Sequence, residues 1–279
     1  MAEAIPGADD PRLTRALTTW RHWRAVPPEM PRVETRLPSF SNDVYCVRAN
    51  SHRYVIRLNR IPTPAGVDRK LERKILATLG ATNFLPPLVY ADDACLITEF
   101  VAGQPLTLTD PNLVAMGNLF CRIHSTTANI AVKLDINNHI QKYAQALGSR
   151  NKSLNNCIRR LTIPGHSPAR LTLCHHDLLP ANVIRTDSGL VALDWEYARL
   201  GDPAFDLAVL VENENLSNGQ TDLLLQAYGD ASPAFRQQLE LMRPRYALVS
   251  LLWWLLRNGE QPLSDTPVHT LATRLGITL

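Results

Sequence analysis

The rhythm of apolar and polar positions changes several times along the chain. Near the N-terminus, "LTRALTTWRHWRAV" (13–26) reads as a short helix stopped by Pro27 and Pro28. From 33 to 58 the texture is β-type, and "DVYCVRA" and "RYVIRLN" flank the turn-like "NSH" as a hairpin. In "VDRKLERKILATLG", Leu71, Ile75, Leu76 and Leu79 recur at helical spacing, with Gly80 as the C-cap. "PPLVYAD" and "CLITEFV" are two more strand candidates, and Gly103 and Pro105 break the pattern. The chain then turns helical, in "PNLVAMGNLFCRIHSTTA", around Tyr143 to Leu147, and over 205–210, 222–228 and 235–257. The expectation is an α+β protein: a helical extension over 1–32, a small β-rich lobe over 33–103 and a mainly helical lobe over 104–279.

One segment interrupts the helices, "LCHHDLLPANVIRTDSGLVALDWEYA" (173–198). Pro180 excludes a continuous helix from Asp177 to Asn182, so "HHDLLPAN" is a loop. "NVIR" and "LVALD" are short apolar runs on either side of "TDSG", a strong turn signal, and together they read as a hairpin. Folding the chain back in this way puts Asp194 beside Asn182. Hard oxygen donors of this kind suit Mg²⁺, which completes its shell with water and phosphate oxygens. Asp177 is left to orient a hydroxyl nucleophile and accept its proton, the division of labour that phosphoryl transfer requires.

Composition narrows the classes. With 279 residues, 45% of them hydrophobic, the chain can bury a substantial core. A formal charge of +3 argues against a dedicated nucleic-acid binder while leaving an anionic ligand welcome. No basic stretch followed by an apolar run opens the chain, so no signal peptide is expected. The most apolar window, "YALVSLLWWLL" (246–256), is too short to span a bilayer and reads as a buried helix, so no membrane insertion is expected. Five scattered cysteines without a CxxC pair suggest reduced thiols in a cytoplasmic protein.

"HHDLLPAN" followed by "ALDWEYA" and "GDPAFDLA" resembles the aminoglycoside phosphotransferase and choline kinase superfamily, which shares the protein-kinase-like fold. The resemblance implies that Asp177 is the catalytic aspartate and that Asn182 and Asp194 are metal ligands. It also implies that His175 braces the loop and Asp206 supports it from a helix. In "RYVIRL" it places Arg57 where kinases carry the strand lysine that contacts nucleotide phosphates, with Glu72 of the next helix as its partner. "LITEFVAG" resembles the hinge, where backbone atoms near Glu99 to Val101 meet adenine. His124, in "NLFCRIHS", is expected to be structural. The family's glycine-rich phosphate loop reads "RLPSFSN" here, with Pro38 and Ser39 at the glycine positions and Ser41 and Asn42 retained. ATP binding is then expected either to be looser or to lean on the Ser39 and Ser41 hydroxyls, because proline offers no N–H. The implied cofactors are ATP and Mg²⁺.

For the acceptor, Trp195 and Glu196 in "DWEYA" are worded more like choline and thiamine kinases than like aminoglycoside resistance enzymes. A primary hydroxyl near a cationic nitrogen calls for acids and aromatic faces. The candidates are Glu196, and Glu212 and Glu214 in "LVENENLS", with Trp253 and Trp254 in "LLWWLL". Thiamine stands first, then choline or ethanolamine, then an aminoglycoside. A non-catalytic nucleotide-binding pseudokinase is the reading of another class.

Overall fold

The computed structural model describes residues 9–39, 42–80, 82–162, 170–259 and 267–278. The chain divides into two compact units, one of residues 1–106 with 182–197, the other of 107–181 with 198–279.

In the first unit, α1 (Pro11–Thr18) is N-capped by Asp10, whose side chain accepts from the Arg12 N–H. The helix expected through 26 ends at Thr18 and tightens into a 3-10 turn over Thr19–His22. The Thr18 and Thr19 hydroxyls donate to the carbonyls of Arg15 and Ala16, each at 2.7 Å, which favours that tighter turn. An antiparallel sheet follows, built of β1 (Arg32–Leu37), β2 (Asp43–Ala49), β3 (His52–Leu58), β4 (Leu88–Ala91) and β5 (Cys95–Glu99) in the order β1-β2-β3-β5-β4. Tyr45, Val47 and Ala49 of β2 and Tyr54, Ile56 and Leu58 of β3 alternate onto one face, where they pack with Leu13 and Trp23. The alternation sends Arg57 to the opposite face. Between β3 and β4 runs α2 (Arg69–Leu79), N-capped by Asp68, with Leu71, Glu72, Ile75, Leu76 and Leu79 buried.

The expected hairpin is present as β8 (Val183–Thr186) and β9 (Gly189–Ala192). A division of the chain at 103/104 assigns it to the helical part, whereas it groups with the first unit. The Ala192 N–H donates to the Phe84 carbonyl at 2.8 Å, and Trp195 stacks on Phe84 at 6.0 Å. Gln104 and Pro105, where the β pattern was expected to stop, form a short strand β6 on the edge of β8. Gly103 makes this approach feasible, since a Cβ there would lie 2.3 Å from the Arg185 carbonyl oxygen.

The second unit contains α3 (Asp110–Ser125), α4 (Ile136–Leu147), α5 (Lys152–Leu161), α6 (Pro203–Asn213), α7 (Asn218–Tyr228), α8 (Pro233–Asn258) and α9 (Pro267–Leu275). An antiparallel pair, β7 (Thr172–Cys174) and β10 (Arg199–Gly201), lies among them. Ile140, Tyr143, Leu154, Leu248, Leu251 and Leu252 centre one apolar core, while α6 is buried along most of its length. No described helix is long and apolar enough to cross a membrane, and all five cysteines are free thiols.

Helices α3 and α7 approach closely at Gly117, where a Cβ would stand 2.7 Å from the Ala227 Cβ and 2.8 Å from the Leu224 carbonyl oxygen. Alanine gains about 1 kcal/mol of helix propensity over glycine, but overpacking against backbone costs about 1–3 kcal/mol. Gly117→Ala is therefore expected to lower the thermal unfolding midpoint; a raised midpoint would contradict this packing.

Candidate active site

Arg57, on the face of β3 away from the first core, is 6% exposed and forks between two carboxylates. Its Nη2 donates to Glu72 Oε2 at 2.6 Å and its Nη1 to Asp194 Oδ1 at 2.7 Å. A second arginine, not anticipated from the sequence, completes the group. Arg69 Nη1 donates to Glu72 Oε2 at 3.1 Å and to Glu196 Oε2 at 2.8 Å. Its only signal was its place three residues before Glu72, on the same helical face. Burial works against the Glu72 charge, yet the Arg57 and Arg69 guanidiniums hold its carboxyl below the ordinary range. Asp194 and Glu196 are pushed up, by burial first and then by their acidic neighbours, in spite of the same arginines.

Three carboxylates thus face two guanidiniums, so the group carries a surplus of negative charge. Asp194 makes no hydrogen bond among the described residues beyond the one from Arg57, which leaves its second oxygen to a further partner. Asn182 ends a 3-10 turn over Pro180–Asn182, and its carbonyl accepts the Leu193 N–H at 2.7 Å, so the two ends of the hairpin meet. Hard oxygen donors and uncompensated negative charge fit Mg²⁺.

The loop carrying Asp177 is fixed from α6. The Asp206 carboxylate, 0% exposed, accepts the His175 N–H at 2.8 Å and the His176 N–H at 2.7 Å. It also pairs with His124 Nε2 at 3.0 Å. Burial opposes the Asp206 charge, but the His124 hydrogen bond and the surrounding imidazoles hold its pKa at about 2. The Asp177 N–H donates to His175 Nδ1 at 3.3 Å. His176 takes a left-handed backbone, φ 64°, with its ring against Gly201, where a Cβ would come within 2.3 Å of Nε2. Ligand atoms of His124, Cys174 and Asp206 lie within 4.8 Å of one another. Burial pushes the Cys174 thiol well up, and both Asp206 oxygens are already engaged by backbone amides, so Asp206 acts here as a fastener of the loop.

The other expected residues distribute as follows. Ser39 is exposed and its hydroxyl accepts the Asn42 N–H at 3.2 Å, while buried Asn42 reaches Glu196 Oε2 with Nδ2 at 3.5 Å. Ser41 lies outside the described residues. At the end of β5 the Glu99 and Phe100 amides are taken by the carbonyls of Pro87 and Arg53, each at 3.0 Å. Val101 makes no backbone hydrogen bond among the described residues. Glu196 belongs to the arginine network of the first unit. Glu212, expected to face a cationic substrate, is paired with Arg243 and with Arg274, the latter at 3.4 Å. Its two partners lie 31 and 62 residues away, beyond the reach of any local pattern. Glu214 caps α6 and accepts from Asn213 Nδ2 at 2.9 Å. Trp253 is half-buried, edge-on to Trp254 at 5.4 Å and under the Arg257 guanidinium at 5.2 Å. Tyr246, also missed, is raised well above the ordinary phenol range, by burial first and then by the charges of Asp177, Glu212 and Glu214.

The model of the phosphotransferase enzyme family matches residues 33–241. A LicA homolog of Mycoplasma capricolum is 27% identical over 187 residues, covering 66% of this chain and 76% of the relative. A thiamine kinase of Salmonella heidelberg is 36% identical over 99 residues, covering 34% of this chain and 36% of the relative. Among solved structures, choline kinase LicA from Streptococcus pneumoniae superposes with a TM-score of 0.73 at 19% identity, covering 88% of this chain and 92% of that one. The protein-kinase-like α+β fold is therefore as expected.

The Arg57–Glu72 pair lends itself to a double-mutant cycle. Arg57→Met leaves buried Glu72 with Arg69 as its one guanidinium and Asp194 with none among the described residues, and is expected to cost about 3 kcal/mol, while Arg57→Met with Glu72→Leu costs less than the sum of the two single losses. Urea unfolding of the four proteins checks it, and simple additivity of the two single losses would contradict the coupling.

Proposed function

The chain belongs to the phosphotransferase enzyme family, and on that premise we propose that it transfers the γ-phosphate of ATP to the primary hydroxyl of a cationic alcohol, choline being the leading acceptor. It is a small-molecule kinase with an alcohol acceptor. The observation that carries the mechanism is the loop from His175 to Asn182. Its backbone is clamped to a buried carboxylate at two successive amides, immediately before Asp177. An acid presented in this way can align a hydroxyl and take its proton as the new O–P bond forms. Asn182 and Asp194 are the residues to hold Mg²⁺, which when bound neutralises phosphate charge. Arg57 supplies a bidentate cation to phosphate oxygens. Ser39, whose hydroxyl accepts the Asn42 N–H, stands at a glycine position of the family's phosphate loop, and the Val101 backbone, without a hydrogen bond among the described residues, is the one to meet adenine. Positioning and charge neutralisation account for most of the acceleration.

The acceptor follows from charge and from likeness. Asp177, Glu212 and Glu214 all raise the Tyr246 phenol, which describes a negative field beside an aromatic ring and favours a cationic nitrogen. Asp177 is the first of these charges, ahead of Glu212 and Glu214, and Tyr246 is the aromatic ring they surround. Sequence wording alone ranks thiamine first. The LicA-type match extends over 187 residues against 99 for thiamine kinase, which favours choline or ethanolamine. Thiamine remains the second reading on the higher identity of its shorter match, 36% against 27%.

ADP release with Mg·ATP and choline, ethanolamine, thiamine or kanamycin tests the proposal directly. Turnover with choline or ethanolamine is expected, and Asp177→Asn should reduce kcat by about 10²–10⁴-fold while leaving nucleotide binding largely intact. Preferential turnover of thiamine would reverse the ranking. Preferential turnover of kanamycin would overturn the small-cation reading, and an unimpaired Asp177→Asn variant would overturn the assigned base.

A further inference from the structure

Behind the Asp177 loop, the second unit contains a hydrogen-bonded chain whose direction is set by its donors. Arg170 Nη2 lies 2.9 Å from the Tyr228 hydroxyl, which lies 3.0 Å from His124 Nδ1. His124 Nε2 is 3.0 Å from Asp206 Oδ2, the same oxygen that accepts the His175 N–H. A guanidinium only donates, so the Tyr228 oxygen accepts from Arg170. Burial raises the Tyr228 pKa to about 12 against the opposing pull of Arg170, so the phenol keeps its proton and can give it to Nδ1. In the tautomer with its hydrogen on Nε2, that N–H points at Asp206 and Nδ1 accepts from the Tyr228 hydroxyl. Each link has one consistent direction, from Arg170 to the carboxylate that clamps the catalytic loop.

Aromatic packing holds the links in place. His124 lies edge-on to Tyr228 at 5.5 Å, Tyr228 stacks on Phe235 at 5.3 Å, and Phe120 lies against His124 at 5.8 Å. With these rings immobilised, the hydroxyl of Tyr228 is the one group of its side chain that can report Arg170 to His124.

We propose that Tyr228, oriented by Arg170, is a positioning residue for phosphoryl transfer: through His124 it fixes the Asp206 carboxylate and thereby the backbone that presents Asp177. The inference rests on Asp177 being the acid that aligns the acceptor hydroxyl. Without the Tyr228 hydroxyl, Nδ1 becomes a buried acceptor with no donor, and the cheapest relief is a turn or re-protonation of the imidazole, which loosens its hold on Asp206. Asp206 keeps its two backbone amides but loses the fixed third partner that sets their angle. Displacements on the scale of an ångström at a reacting group are enough to lower turnover steeply.

The test uses the full chain with Tyr228→Phe, which preserves the stack on Phe235, and with Arg170→Met and Arg170→Lys. Three readouts are taken: the ¹⁵N signals of the His124 imidazole, amide exchange at His175 and His176, and steady-state kinetics. The wild type should show hydrogen on Nε2 alone. Tyr228→Phe should shift the Nδ1 signal, accelerate exchange at both amides and lower kcat about tenfold or more, with KM for ATP little changed. Arg170→Met should show the same changes in milder form, and Arg170→Lys should restore part of them. A Tyr228→Phe protein with wild-type His124 signals and wild-type amide exchange would overturn the proposal, even if its melting temperature fell. So would altered signals with an unchanged kcat. Failure of the wild type to turn over any alcohol would count against the kinase reading alone, because the imidazole and amide readouts decide the positioning role without substrate.

Discussion

A guanidinium cannot shed its charge, so when the alternation of β3 turns Arg57 away from solvent the rest of the unit must supply anions. Two distant segments do so, Glu72 from 15 residues away on α2 and Asp194 from 137 residues away at the foot of the hairpin. This requirement draws residues 182–197 into the first unit and gives Asp194 its place. The second unit solves a similar problem with the opposite sign. Asp206, buried on α6, collects the amides of His175 and His176 from 31 and 30 residues upstream. In both units a carboxylate singled out in the sequence, Asp194 or Asp177, owes its position to a buried charge elsewhere.

The first of these networks is built to exchange partners. Its charges alternate as Asp194, Arg57, Glu72, Arg69, Glu196, so each guanidinium is shared and each carboxylate has a cation beside it. Removing any buried charge from such a row is costly, whereas substituting one counter-ion for another is not. Under the proposed function, a cation taking over Asp194 or a phosphate taking over the Arg57 fork would leave no bare charge behind. Arginine suits this exchange better than lysine, since its planar fork meets two anions at once.

Much of this was legible in the sequence because it is local. The heptad-like spacing in α2, the "TDSG" turn and the proline that ends "HHDLLP" each act within a few residues, and each formed the expected element. The long-range terms were not legible. Arg69 looks like any first-turn arginine until Glu196 comes within 2.8 Å, and Glu212 looks like a free acid until Arg243 and Arg274 arrive. The helix expected through 26 was shortened by two threonine hydroxyls that bond back to the chain, a competition that apolar spacing does not register. The resemblance to a known family supplied what spacing could not, the pairing of Arg57 with Glu72 and the support of the loop by Asp206.

Backbone strain marks the same two places. His176 and Asp194 both adopt left-handed backbones, at φ 64° and φ 54°, which for side chains of this kind cost roughly 1 kcal/mol each. His176 is held there by its amide on Asp206 and by the gap at Gly201, and Asp194 by the Arg57 fork. Relaxing either would turn the adjoining carboxylate away from its work while gaining little elsewhere. The strain is therefore borne by the buried charges and not by the loops themselves.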